Sequence, residues 1–226
     1  MMRRIEIVPA VMPKDLAELQ EQVMPLGEFA ESVHVDIMDG IFVPEISWPY
    51  VAKGVPNAVG KIDTTLTLEA HLMVAAPGTI VSDLIHVGFT RIIVHPEKFV
   101  NARVLHDTLA QWRASGVEVG LAFTAHASSA YIRPLEPSCD FFQVMTIGSI
   151  GRQGIPFESA LLGHVSILRE WFPHKIIAVD GGINETTIAA ASQAGANRVI
   201  VGSAITQSAN KAGSYQQLQK IANSAV

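Results

Sequence analysis

The chain has 226 residues, 49% of them hydrophobic, and a formal net charge of −5. It can bury one substantial core of the size of a single α/β barrel, so one domain over residues 1–226 is expected. The acidic balance and the absence of any Lys/Arg run exclude nucleic acid and anionic membranes as partners and favour a small molecule.

No apolar run approaches the roughly 20 residues that span a bilayer, and residues 1–6 carry no apolar signal segment. A cytoplasmic location is expected. The single Cys139 has no internal partner, in keeping with a reducing compartment.

Short apolar runs alternate with helix-like stretches, the rhythm of a parallel sheet joined by helical crossovers. A strand is predicted over 5–12 and a helix over 14–26, where Leu16, Leu19 and Val23 recur at helical spacing. A strand over 33–37 is followed by a long loop and a helix-like stretch over 48–55. The third strand, 66–73, leads through Pro77-Gly78 into a helix to about 87, and the fourth covers 91–95. Asn101 is expected to cap a helix that Gly116 stops. Strands over 117–123 and 141–146 follow, separated by a short helix at 128–133. A helix over 157–172, a strand over 175–179, a helix over 185–194 capped by Asn184, a strand over 198–201 and a helix over 214–225 complete the pattern. Eight strand and helix pairs without a linker favour a closed (β/α)₈ TIM barrel over an open, doubly wound sheet.

Side chains two apart on a strand share a face, so His34 and Asp36 point one way while Val33, Val35 and Ile37 pack the other. Alone, this is better read as a core histidine bonded to a neighbouring carboxylate. Two further strands contribute His71 and Asp180, and the four side chains together have the nitrogen and oxygen character that suits a divalent transition metal. All four, with His95, fall at the C-terminal ends of their strands, where barrels of this type carry their chemistry. Gly181-Gly182 and Gly202-Ser203 follow the seventh and eighth strands, where barrels often hold a phosphate on backbone N–H groups. The plainer alternative for either pair is a tight strand-to-helix turn.

At this point the chain resembles the ribulose-phosphate 3-epimerase family, which includes pentulose- and hexulose-phosphate 3-epimerases. The likeness runs through His34-Val35-Asp36-Ile37-Met38-Asp39-Gly40, His71-Leu72-Met73-Val74, Val94-His95-Pro96-Glu97, Val179-Asp180-Gly181-Gly182-Ile183 and Val201-Gly202-Ser203-Ala204-Ile205. It implies one divalent ion (Zn, Fe, Mn or Co) held by His34, Asp36, His71 and Asp180, with Asp36 and Asp180 as the acid/base pair on opposite faces of a ketose phosphate. It also implies Met38, Met73 and Met145 in the pocket wall, and a homo-oligomer, dimer or larger. Such a pair fits the chemistry, because inverting a carbinol carbon beside a ketone needs a proton removed on one face and another delivered on the opposite face.

Several segments depart from the family pattern. The Pro-Ser-x-x-Ser-x-Asp run usual after the first strand is Pro9-Ala10-Val11-Met12-Pro13-Lys14-Asp15, so both hydroxyls are gone. Thr124-Ala125-His126 stands where Asn-Pro is usual, and His126 is a candidate substrate contact. The sixth loop, 147–154, is one residue shorter and carries Gly151-Arg152; both are expected at the substrate, with Arg152 as an anion ligand or a solvated charge. Asp39 is a candidate for orienting site groups, while His95 and Glu97 are expected at the rim or in a surface loop. These changes leave two alternatives to the epimerase: a paralogue that binds a sugar phosphate without turnover, and a phosphosugar decarboxylase or aldolase. Related decarboxylase barrels use Asp-x-Lys-x-x-Asp at the second strand, where this chain has His34-x-Asp36-x-x-Asp39.

Overall fold

Eight parallel strands close into a barrel in the computed structural model, which describes residues 4–125 and 127–226. His126 lies outside the described residues. The strands are β1 (Glu6–Val11), β2 (Ser32–Met38), β3 (Thr67–Met73), β4 (Phe89–Val94), β5 (Glu118–Phe123), β6 (Phe141–Met145), β7 (Ile176–Asp180) and β8 (Arg198–Val201). They pair in sequence order, and β8 returns to β1 with Arg198 opposite Glu6.

Helices α1 (Leu16–Val23), α2 (Val81–His86), α3 (Ala102–Ala114), α4 (Ser129–Ile132), α5 (Leu162–Trp171), α6 (Ile188–Gln193), α7 (Ser203–Thr206) and α8 (Lys211–Ser224) cover the outside. The main apolar core lies between this layer and the strands, where Val33, Val35 and Ile37 of β2 are fully buried. The expected cap on α3 is present: Asn101 accepts from the Val104 N–H, and Gly116 beyond the helix has φ +90°. Asp15 does the same for α1 through the Glu18 N–H.

Two predicted helices differ. The stretch over 48–55 is a small antiparallel hairpin, Tyr50–Ala52 with Val55–Pro56, so the β2 to β3 crossover has no helix. Pro49 removes a donor and Gly54, at φ +68°, turns the chain back so that its N–H reaches the Asp39 carbonyl. The helix expected from 185 begins at Ile188 instead. Asn184 Oδ1 accepts from the Thr186 N–H and hydroxyl, closing a turn rather than capping α6.

The barrel interior is polar at its floor. Glu6, Arg91, Arg198 and Glu69 form one network there, with Arg198 Nε 2.8 Å from Glu6 Oε2 and Arg198 almost fully buried. Above it the inward side chains become site residues. No helix among the described residues is long and apolar enough to cross a membrane.

Candidate active site

His34 and Asp36 on β2, His71 on β3 and Asp180 at the end of β7 converge at the C-terminal mouth of the barrel, with one donor atom from each within 4.8 Å of all the others. The register makes this possible, because Asp36 pairs with His71 and Met145 with Asp180. His71 Nδ1 is 3.0 Å from Asp36 Oδ1 and 3.6 Å from Asp180 Oδ2. His34 Nε2 is 3.3 Å from Asp36 Oδ1 and 3.8 Å from Asp180 Oδ2. Donors held at bonds of about 2.1 Å around a tetrahedral divalent ion stand roughly 3.4 Å apart, so these four atoms match the size of such a coordination shell. His34 Nε2 is moreover buried and makes no hydrogen bond among the described residues. The residues present therefore fit a divalent cation.

Three further residues hold this set in place, two of them, Glu69 and Gln143, not singled out from the sequence. Glu69, two before His71 and on the same face of β3, is fully buried and lies 2.6 Å from His34 Nδ1. With its proton on Nδ1, His34 turns an unprotonated Nε2 into the cluster. His95 is not at a rim or in a surface loop, as expected, but is completely buried with its Nε2 2.9 Å from His71 Nε2. Strand alternation explains this, since His95 extends the inward face of β4 past Ile93. Its partner Glu97 keeps an oxygen 3.6 Å from His95 Nδ1. Gln143, inward on β6, donates from Nε2 to Asp180 Oδ2 at 2.9 Å. Alternation along each strand was the signal for all three, two residues before a residue already singled out or one past a strand's end.

Burial sets the protonation of the cluster, and its charges modify it. Burial pushes the Asp180 carboxyl up, and the neighbouring Asp36 charge adds to this against the two histidines. Burial also raises Asp36, but His34 and His71 outweigh it and hold that carboxyl well below its usual range. His95 goes the other way, since burial takes its pKa down to about 4 and leaves the ring neutral at pH 7.

A cavity of about 430 Å³ opens above the cluster. Asp36, Met73, Met145 and Asp180 line it together with Gly181, Gly182, Gly202 and Ser203. Gly181 and Gly182 have φ of +113° and +68°, and a Cβ at Gly182 would fall 2.8 Å from the Phe157 backbone N, so both the backbone conformation and the space demand glycine. Among the described residues, the N–H groups of Gly182, Ile183 and Ser203 donate to no protein acceptor. Met38 does not line this cavity; it packs with Met73 and Val43, because β2 rises past the mouth and its last side chain meets the covering loop. Gly151 and Arg152 do line it, and Arg152 Nε pairs with Glu45 of the loop after β2. Ala10 lies in the wall, where its carbonyl accepts from Gln153 Nε2 at 3.4 Å. Asp39 accepts from the Ile41, Phe42 and Ala75 N–H groups and so ties the loops after β2 and β3 together.

Comparison with known proteins agrees with this geometry. The model of the ribulose-phosphate 3 epimerase family matches residues 6–206. A ribulose-phosphate 3-epimerase of Synechocystis sp. is 30% identical over 217 residues, covering 94% of this chain and 92% of the relative. One of Chlamydia muridarum is 32% identical over 203 residues, covering 87% and 86%. Among solved structures, 3-hexulose-6-phosphate synthase from Salmonella typhimurium superposes with a TM-score of 0.68 at 17% identity, covering 98% of this chain and 100% of that one, a likeness of fold alone. The chain thus belongs to the ribulose-phosphate 3-epimerase family, a family of isomerases that act on carbohydrate phosphates.

Proposed function

We propose that the protein is a metal-dependent 3-epimerase of a ketose phosphate, interconverting ribulose 5-phosphate and xylulose 5-phosphate or a related pentulose or hexulose phosphate pair. The observation that carries this reading is the juxtaposition of two carboxylates and two imidazoles beside a cavity that Asp36 and Asp180 line together with loops whose backbone N–H groups are unpaired among the described residues.

His34 Nε2, His71 Nδ1 and one oxygen each of Asp36 and Asp180 would hold the cation. A bound divalent ion there supplies positive charge beside the substrate ketone, where negative charge develops. For His71 to present Nδ1, its proton sits on Nε2 and is donated to His95 Nε2. One of the two carboxylates takes the proton from the carbinol carbon as the electron pair moves to form an enediolate; the other, protonated, returns a proton to the opposite face. The N–H groups of Gly182, Ile183 and Ser203 are suited to a phosphate, with Gly181 and Gly202 allowing close approach. Met73 and Met145 give the reacting carbon an apolar wall.

Two features speak against a decarboxylase or aldolase. Asp39 uses its carboxylate on backbone N–H groups, and no lysine lines the cavity among the described residues. The family resemblance further supports a cytoplasmic homo-oligomer.

The test is a panel of pentulose and hexulose phosphates in deuterated buffer. Wild type should place deuterium at C3 of one pair and form its epimer, while Asp36→Asn and Asp180→Asn should each lose roughly 10²- to 10⁴-fold in rate. Binding of the phosphates with no exchange by wild type would instead establish the paralogue without turnover.

A further inference from the structure

Gln143 is a fully buried amide inside the barrel, set between Phe141 and Met145 on β6 and in register with Ala122 on β5 and Ala178 on β7. A primary amide in such surroundings is costly unless it is bonded. Its Nε2 donates to Asp180 Oδ2 at 2.9 Å, with Met145 Sδ a weaker contact at 3.6 Å, and its Oε1 makes no hydrogen bond among the described residues.

The two carboxylates of the site differ in how they are held. Asp36 Oδ1 lies close to both imidazoles, 3.0 Å from His71 Nδ1 and 3.3 Å from His34 Nε2, although with the ring protons on His71 Nε2 and His34 Nδ1 neither nitrogen donates to it. Asp180 Oδ2 stands farther off, 3.6 Å from His71 Nδ1 and 3.8 Å from His34 Nε2. Among the described residues, the amide of Gln143 gives the Asp180 carboxylate its one hydrogen bond. The bonded oxygen is the one on the histidine side, so a rotation of the carboxyl group that carried Oδ2 away from the histidines would break this bond.

From this we infer that Gln143 is a positioning residue for Asp180: by holding Oδ2 toward the histidines it reserves Oδ1 for the proton exchanged with the sugar. The inference rests on the epimerase reading above. It assigns a role specific to one of the two faces of the substrate, because among the described residues Gln143 bonds to Asp180 and not to Asp36.

The experiment uses Gln143→Leu and Gln143→Met, the second keeping the length of the side chain without its donor, so that a folded variant is in hand even if one fails. Zn²⁺ affinity, read by competition with a chelator and without substrate, should weaken about tenfold. Each epimer of the pair on which wild type exchanges is then incubated separately in deuterated buffer, and deuterium in recovered starting sugar is compared with epimer formed. When Asp36 removes the proton, its own return of a proton is unaffected while delivery by Asp180 is impaired, so this ratio should rise by about threefold or more; from the other epimer it should fall. Ratios that stay the same, or move in the same sense from both epimers, together with Zn²⁺ affinity within twofold of wild type, would overturn the inference and leave Gln143 a packing residue. Absence of exchange by wild type would sink the epimerase reading instead, and Zn²⁺ affinity alone would then judge the hold of Gln143 on Asp180.

Discussion

Glu69 Oε1 lies 2.6 Å from His34 Nδ1, with both side chains completely buried, and the same carboxylate keeps its other oxygen 3.5 Å from Arg198. It thereby links the charged floor of the barrel to the imidazole that faces Asp36 and Asp180. Glu69→Gln keeps the shape and removes the charge. Divalent-ion affinity is expected to fall about tenfold by chelator competition, and unfolding in urea should show a loss of about 3 kcal/mol, since Arg198 loses part of its compensation. Unchanged affinity would show that His34 is oriented without Glu69.

His95 makes a second prediction. Its Nε2 is the acceptor for the His71 ring in the arrangement that frees Nδ1. His95→Phe preserves an aromatic ring between Phe42 and His71, whose centroids each lie 5.1 Å from it, but removes the acceptor. An unpaired buried N–H costs about 1–3 kcal/mol. Calorimetry of the variant should show that loss, accompanied by weaker divalent-ion binding; stability equal to wild type would count against the assigned tautomer.

Acid stability depends on Glu6. Burial raises its carboxyl, but Arg198 and Arg91 outweigh burial and hold the pKa at about 2, against an ordinary value of 4.5. The native state therefore binds the proton less readily than the unfolded chain. The resulting stabilisation, about 3 kcal/mol as an order of magnitude, is full above pH 4.5 and disappears as pH falls toward 2. Glu6→Gln should flatten the pH dependence of unfolding across that window; an unaltered slope would mean that other groups carry it.

Cys139 is expected to be inert in the folded protein. It is buried, and burial pushes its thiol up to about 12, so almost no thiolate exists at neutral pH. A thiol reagent added at pH 8 should label it only as fast as the chain unfolds. Rapid stoichiometric labelling without denaturant would contradict this burial.

The barrel and the metal-type cluster were readable in the sequence because both follow from strand alternation, which ties His34 to Asp36 and sets apolar against polar faces along all eight strands. The hairpin at Tyr50–Pro56 was misread because its apolar residues, Val51 and Val55, are four apart as in a helix, yet both are exposed. His95 was expected at the rim or in a surface loop because it stands at the end of its strand, and only the register of β4 with β3, with Ile93 opposite His71, brings it against His71. Alternation puts Gln143 and Glu69 on the inward faces of their strands, but their partners, Asp180 and His34, come from other strands, a pairing that alternation alone does not encode.

The pairing of Arg152 with Glu45 has a consequence for how molecules reach the cavity. Their side chains are 63% and 25% exposed, and they join the loop after β6, which lines the cavity, to the loop after β2. A clasp of opposite charges in contact with water loosens as dissolved ions screen it. Ligand entry and departure should accordingly quicken at high ionic strength, while the bond-making steps in the dry floor below proceed at the same pace.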